Sequence, residues 1–145
     1  DASGRIYVAD SGHHRIIRMK DGTGADWVSF GHEGTGINQF INPTGVYVDG
    51  GGRIYVADAG NHRIVQFTDM MGAGWTAYGT QGRGPGQFEA PTHILTDQSG
   101  FIYITDSGNN RLVRIQDMTG AGWTAITLPK SKKPRPSIPA GVGVR

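Results

Sequence analysis

Gly45-Val46-Tyr47-Val48-Asp49, Gly50-Gly51-Gly52, Arg53-Ile54-Tyr55-Val56-Ala57-Asp58, then Gly60-Asn61-His62 and Arg63-Ile64-Val65-Gln66-Phe67: this stretch decides the fold. Short runs of β-branched and aromatic residues alternate with clusters of Gly, Asn and Asp, which is the pattern of strands joined by tight turns. After the turn Asp69-Met70-Met71-Gly72-Ala73-Gly74 comes a fourth run, Trp75-Thr76-Ala77-Tyr78-Gly79. The second strand is apolar on both faces, with Ile54 and Val56 on one and Tyr55 and Ala57 on the other. A strand with one wet face would alternate apolar and polar residues, so this unit is expected to be covered on both sides.

Working outward, the unit recurs. Trp27, Trp75 and Trp123 are spaced by 48 residues, as are Asp10, Asp58 and Asp106, Arg15, Arg63 and Arg111, and Pro43, Pro91 and Pro139. Residues 1–48 laid over residues 49–96 share 23 identities without a gap. Four strands per unit at a period in the forties is the signature of a β-propeller, in which each blade is sandwiched between neighbours. The fold class is therefore all-β. The chain reads as one domain, residues 1–145, of three blade repeats at about 1–48, 49–96 and 97–145.

These residues resemble the NHL repeat family. The resemblance rests on Pro43-Thr44-Gly45-Val46-Tyr47-Val48-Asp49, Ile54-Tyr55-Val56-Ala57-Asp58 and Gly60-Asn61-His62-Arg63-Ile64. It extends through the connection Tyr78-Gly79-Thr80-Gln81-Gly82, then Gly86-Gln87-Phe88 to Pro91, and the insertion from Asp69 to Trp75 is similar to bacterial forms. The resemblance implies a propeller, typically six-bladed, used mostly as a binding platform. The last copy departs from it: Thr127 stands where Gly31 and Gly79 stand, Pro136 where Phe40 and Phe88 stand, and Arg145 where Asp49 and Asp97 stand.

Composition narrows the function classes. Charged residues are 18% of the chain and the hydrophobic set 37%, values of a folded domain, and no apolar run approaches the roughly 20 residues of a membrane-spanning helix. Cysteine is absent, which removes disulfides and thiol chemistry and leaves the compartment open. The 24 glycines are spread in short clusters, as many tight turns require. A net charge of +2 does not by itself point to nucleic acid.

The repeat phase carries an expectation about assembly. Asp1 aligns with Asp49, so the first blade lacks its innermost strand, while residues 140–145 read as a spare one. Three blades are too few to close a ring, and an open arc leaves two blade faces wet. The reading is a homodimer of two three-blade halves, residues 140–145 of one chain pairing near Ile6–Asp10 of the other. The rival reading is a piece of a longer chain.

Candidate site residues fall into three groups. The triplicated Asp and Arg read as structural, the Asp tying down the following turn through its backbone amides and the Arg bracing the next blade; the tryptophans read as anchors between blades. Ligand binding at the channel mouth falls to His93, which replaces Gly45 and Gly141 where the innermost strand begins, with Asp49, Asp97 and Arg145. A weaker nucleic-acid set is Lys130, Lys132, Lys133 and Arg135, which lack interleaved aromatics. His13, His14 and His62 lack zinc-like spacing, and Gly82-Arg83-Gly84-Pro85-Gly86 lacks the Lys-Ser/Thr of a phosphate loop.

The expected function is a non-enzymatic scaffold or binding module for a protein or small ligand, with no catalytic residues, metal or cofactor. Alternatives are half of a metal-dependent lyase or lactonase, an RNA-binding propeller, and an engineered or excised fragment whose only activity is folding and self-assembly. Nucleic acid and membrane are not expected partners.

Overall fold

The computed structural model describes residues 1–130. Lys132, Lys133, Arg135, Arg145 and the expected closing strand, residues 140–145, lie outside the described residues. The first sheet runs β1 (Ile6–Asp10), β2 (Arg15–Met19), β3 (Val28–Phe30). A connection with the two-residue strands β4 (His32–Glu33) and β5 (Gln39–Phe40) leads to the middle sheet, β6 (Pro43–Val48), β7 (Ile54–Asp58), β8 (Arg63–Phe67), β9 (Thr76–Tyr78). A second such connection, β10 (Thr80–Gln81) and β11 (Gln87–Phe88), leads to the last sheet, β12 (Pro91–Thr96), β13 (Ile102–Asp106), β14 (Arg111–Ile115), β15 (Thr124–Thr127). Within each of the three sheets every pairing is antiparallel between sequence neighbours.

Among the described residues the second, third and fourth strands expected of every blade are present and the innermost strand is present in the middle and last sheets, with two additions. The innermost strands begin at Pro43 and Pro91, ahead of the expected Gly45, because a bulge at Pro43/Gly45 and Pro91/His93 extends the pairing by a proline that needs no ladder donor. The connections also hold short parallel pairs, β4 with β5 and β10 with β11, which composition alone did not suggest.

The core lies between the sheets. Tyr7, Ala9 and Ile16 of the first sheet pack with Ile54, Val56, Val65 and Phe67 of the middle one. On its other face the middle sheet packs Tyr55, Ala57 and Ile64 against Ile102, Ile104, Val113 and Ile115 of the last. All five residues of β7 are buried, which answers the two-sided apolar reading of that strand. The innermost strands nearly touch: Thr44 Oγ1 donates to Pro91 O at 3.0 Å, Tyr47 OH to Thr96 O at 3.3 Å, and a Cβ on Gly45 would stand 2.7 Å from Thr92 O.

The outer faces of the first and last sheets have no neighbour among the described residues. Ile6 and Val8 are exposed, although their counterparts Ile54 and Val56 are fully buried. Ile126 and Leu95 are exposed on the last sheet, where Tyr103, Leu112, Arg114, Thr124 and Ile126 line an apolar hollow of about 170 Å³.

Gly45→Ala is expected to push the inner strands apart and cost about 1–3 kcal/mol in urea unfolding. His93→Ala, whose side chain is exposed, should leave the midpoint unchanged.

Candidate functional site

Each repeat carries a carboxylate at the end of its second strand and a guanidinium at the start of its third, paired directly across the hairpin as Asp10↔Arg15, Asp58↔Arg63 and Asp106↔Arg111. In the middle repeat Asp58 is fully buried, and its Oδ2 accepts from Arg63 Nε and Asn61 Nδ2, both at 2.8 Å. Its Oδ1 accepts from the backbone N–H of Ile41, in the connection from the preceding sheet, at 2.8 Å. Arg63 then donates to the carbonyls of Thr35 at 2.8 Å, Gly36 at 3.2 Å and Gln39 at 2.8 Å, and lies over the Trp75 ring at 5.7 Å. The last repeat repeats this with Asp106, Asn109, Arg111 and Trp123 against Glu89, Arg83, Gly84 and Gln87.

The expectation that the Asp secures its own turn through backbone amides is corrected here. No side-chain cap bond is made to the turn backbone by Asp58 or Asp106. The turn is held through the Asn61 and Asn109 side chains, and the carboxylate's backbone partner is the connecting segment. Burial pushes the Asp58 carboxyl above its ordinary value, outweighing the bonds from Asn61, Ile41 and Arg63.

The connection carries its own order. Gln39 Oε1 accepts from Gly36 N at 2.8 Å, and Gln87 Oε1 from Gly84 N at 2.9 Å. Gly34 and Gly82 take φ of 153° and 150°, a region open essentially to glycine alone. Phe40 and Phe88 are fully buried, with ring centroids 5.5 Å from Trp75 and Trp123. The role of Gln39, Gln87, Asn61 and Asn109 was not foreseen, though each pair is spaced by 48 residues and so carried the repeat signal.

The residues expected at the channel mouth divide between two places. His93 sits at the start of β12, exposed, its Nδ1 3.2 Å from Thr92 Oγ1. Asp97 follows the far end of the same strand, four residues on and about 13 Å away at strand rise, so the two do not share a site. Asp49 and Asp97 do come together, lining a cavity of about 370 Å³ with Tyr47, Arg53 and Thr96. Their carboxylates are already engaged: Asp49 accepts from Gly51 N, Arg53 N and Arg53 Nε within 2.9 Å, and Asp97 from Ser99 N, Phe101 N and Tyr103 OH within 3.0 Å. Burial pushes Asp49 up, but the Arg53 backbone N–H and guanidinium outweigh it and hold the carboxyl below its ordinary value.

The remaining candidates are scattered. Lys130 lines a separate hollow of about 440 Å³ with Arg83, Asn110 and Arg111. His14 and His62 each accept a backbone N–H on Nδ1, from Asn42 at 3.0 Å and Ala90 at 3.1 Å, while His13 Nδ1 lies 2.9 Å from Asp10. Among the described residues no group of three or more His, Cys, Asp or Glu is placed to hold a metal ion.

Residues 40–67 match the NHL repeat. The fold is similar to that of virginiamycin B lyase from Staphylococcus aureus, with a TM-score of 0.63 at 18% identity over 90% of this chain and 40% of the lyase chain. A streptogramin B lyase structure gives a TM-score of 0.66 at 18% identity, covering 90% of this chain and 39% of that one. A chain of the nidogen/laminin complex gives 0.64 at 14% identity, with 88% and 44% covered. The chain thus spans about 40% of the length of the lyase chains it matches. No curated protein sequence matches it.

The buried pairs set an expected order of stability effects. Arg63→Ala and Arg111→Ala each leave a fully buried carboxylate uncompensated and should cost about 3–5 kcal/mol in chemical unfolding. Arg15→Ala, where the Asp10 side chain is 22% exposed, should cost clearly less than either. Because the Asp49 carboxyl is depressed, its contribution is present above pH 3.8 and lost as pH falls further; Asn at this position should flatten that acid limb of a stability profile.

Proposed function

We propose that this segment of an NHL-type β-propeller is a non-enzymatic binding scaffold, completed to a six-bladed ring by a second copy of itself, that offers its channel mouth and upper loops to a protein or small ligand. The observation that carries the reading is the complementarity of its two open faces. The last blade presents Tyr103, Thr105 and Leu112, the counterparts of Tyr55, Ala57 and Ile64. The first presents Ile6, Val8, Ile17 and Met19, the counterparts of Ile54, Val56, Val65 and Phe67. Inside the chain, faces of the first kind pack on faces of the second kind at both junctions. A head-to-tail pair of chains repeats that packing twice more and leaves no apolar face in water, which favours a closed ring over an open arc. In this reading residues 140–145 of the second copy pair with the edge of β1 that has no partner among the described residues.

A scaffold role is favoured over an enzymatic one by the state of the inner carboxylates. Asp49 and Asp97 are engaged by hydrogen bonds from their own turns and neighbouring strands, whereas a general acid or base must present its carboxyl to substrate. The chemistry of the lyases with a similar fold therefore finds no support in these residues. The protein binding of the nidogen/laminin relative is compatible with a platform, through fold alone.

Sedimentation equilibrium is expected to give one species of two chains, and a compact, soluble single chain would overturn the reading. A two-fold ring has two equal junctions, each using one first-blade face and one last-blade face. Either Val8→Asp or Leu112→Asp alone should therefore abolish both and yield monomer.

A further inference from the structure

Two successive backbone N–H groups of each connection are held from opposite sides. Ile41 N–H donates forward to Asp58 Oδ1 of the middle sheet at 2.8 Å, and Asn42 N–H donates back to Nδ1 of His14, in the turn between β1 and β2, at 3.0 Å. The second connection repeats this with Glu89 N–H on Asp106 Oδ1 at 2.8 Å and Ala90 N–H on His62 Nδ1 at 3.1 Å. Both junctions lie within one chain and among the described residues.

Each backward bond holds a residue in a costly conformation. Asn42 and Ala90 take φ of 47° and 51°, directly before Pro43 and Pro91. That left-handed region is unfavourable for a residue carrying a Cβ, so the bond to histidine offsets backbone strain. In the last repeat Asn110 stands where His14 and His62 stand, and its Nδ2 donates to Leu128 O at 2.9 Å. An amide gains no proton near neutrality. Imidazole does, and it is the side chain whose charge changes between about pH 5 and 8.

An Nδ1 that accepts a backbone N–H carries a lone pair, so the ring is neutral with its proton on Nε2. A second proton, placed on Nδ1, sets a donor against a donor and the bond is lost. We propose that His14 and His62 are acid-sensitive latches between blades, each holding the following connection only while its ring is uncharged.

The two latches differ in what acid does next. Glu89 Oε1, steadied by Gln81 Nε2 at 3.2 Å, lies 3.6 Å from His62 Nδ1. A charged His62 therefore exchanges the Ala90 N–H for a carboxylate on the same connection and stays attached to it. Ile41 occupies the equivalent position in the first connection. In the hairpins themselves the charged groups are committed to one another, Asp58 to Arg63 and Asn61, and Asp10 to Arg15 and His13. The titratable groups of the first connection, His32 and Glu33, are exposed, and His32 Nε2 sits 3.0 Å from Gln39 Nε2. Among the described residues histidine pairs with carboxylates only at His13 and His62, so a charged His14 finds no counter-ion. Acid thus releases the first junction and re-partners the second.

The test is an NMR titration of the full chain from about pH 8 to about pH 5.5 at one chain concentration. At the upper end the ring nitrogens of His14 and His62 should show the Nε2–H tautomer. On acidification the amide proton signals of Asn42 and Ala90 should move in step with the rings of His14 and His62 respectively. Protection of the Asn42 amide against exchange, corrected for its intrinsic rate, should fall roughly three- to tenfold, the factor carried by one ordinary hydrogen bond. None of these readings needs a variant. In urea unfolding over the same range, His14→Asn, the residue of the third copy, should remove most of the acid loss in midpoint, and His62→Asn much less. Other groups that take up protons in this range are the same in parent and variant, so the difference belongs to the histidine. An Nδ1–H tautomer at His14, an Asn42 signal that ignores the His14 titration, or an acid loss that is absent from the parent or undiminished in His14→Asn would each overturn the proposal. None of these outcomes bears on the number of chains in the ring, which the mass measurement decides separately.

Discussion

The buried carboxylate–guanidinium pair at the head of the middle and last hairpins, a staple to the preceding connection, is the interaction on which the rest of the architecture depends. Asp58 and Arg63 are brought together by strand pairing, but their remaining bonds leave the sheet. A charged pair taken out of water is stabilising only when its spare lone pairs and protons are satisfied. The groups that satisfy them belong to the connection from the preceding sheet, so each junction between blades is fixed by polar geometry at its rim as well as by apolar packing at its centre. The same pair makes the middle and last repeats depend on the connection that precedes them.

Apolar packing and the staple play different parts. The faces built on Ile54, Val56, Val65 and Phe67 on one side, and Tyr55, Ala57 and Ile64 on the other, form the apolar core between sheets and set which face meets which. They are tolerant of small shifts. The staple is not, because three carbonyls and one amide must arrive in one arrangement, and only a connection with glycine at φ near 150° delivers them. Affinity between blades and selectivity for the connecting segment therefore reside in different residues.

The departures of the last repeat gain meaning in this light. Thr127, Lys130 and Pro136 all fall on positions where the first two connections need a glycine or a buried phenylalanine. His93 stands where Gly45 lets two innermost strands approach. These four changes fall beyond the last sheet and set that end of the chain apart from the two junctions within it, where glycine and phenylalanine hold these positions.

The sequence by itself determined the all-β class, the 48-residue repeat, the strand order within each repeat and the two-faced burial of the middle unit. All of these follow from local propensity and from a period that needs no knowledge of space. It could also mark Asp10, Arg15 and their copies as structural. The tertiary structure alone decided which groups those side chains reach, because the partners lie 17 to 28 residues away on a connection whose path depends on backbone angles. It likewise separated His93 from Asp97, which a linear reading had grouped, since an extended strand carries residues four apart to opposite ends of a blade. And it showed that three pairs that look alike in sequence differ in burial, fully buried carboxylates at Asp58 and Asp106 against a partly exposed one at Asp10, because burial is a property of what packs against a residue and not of the residue itself.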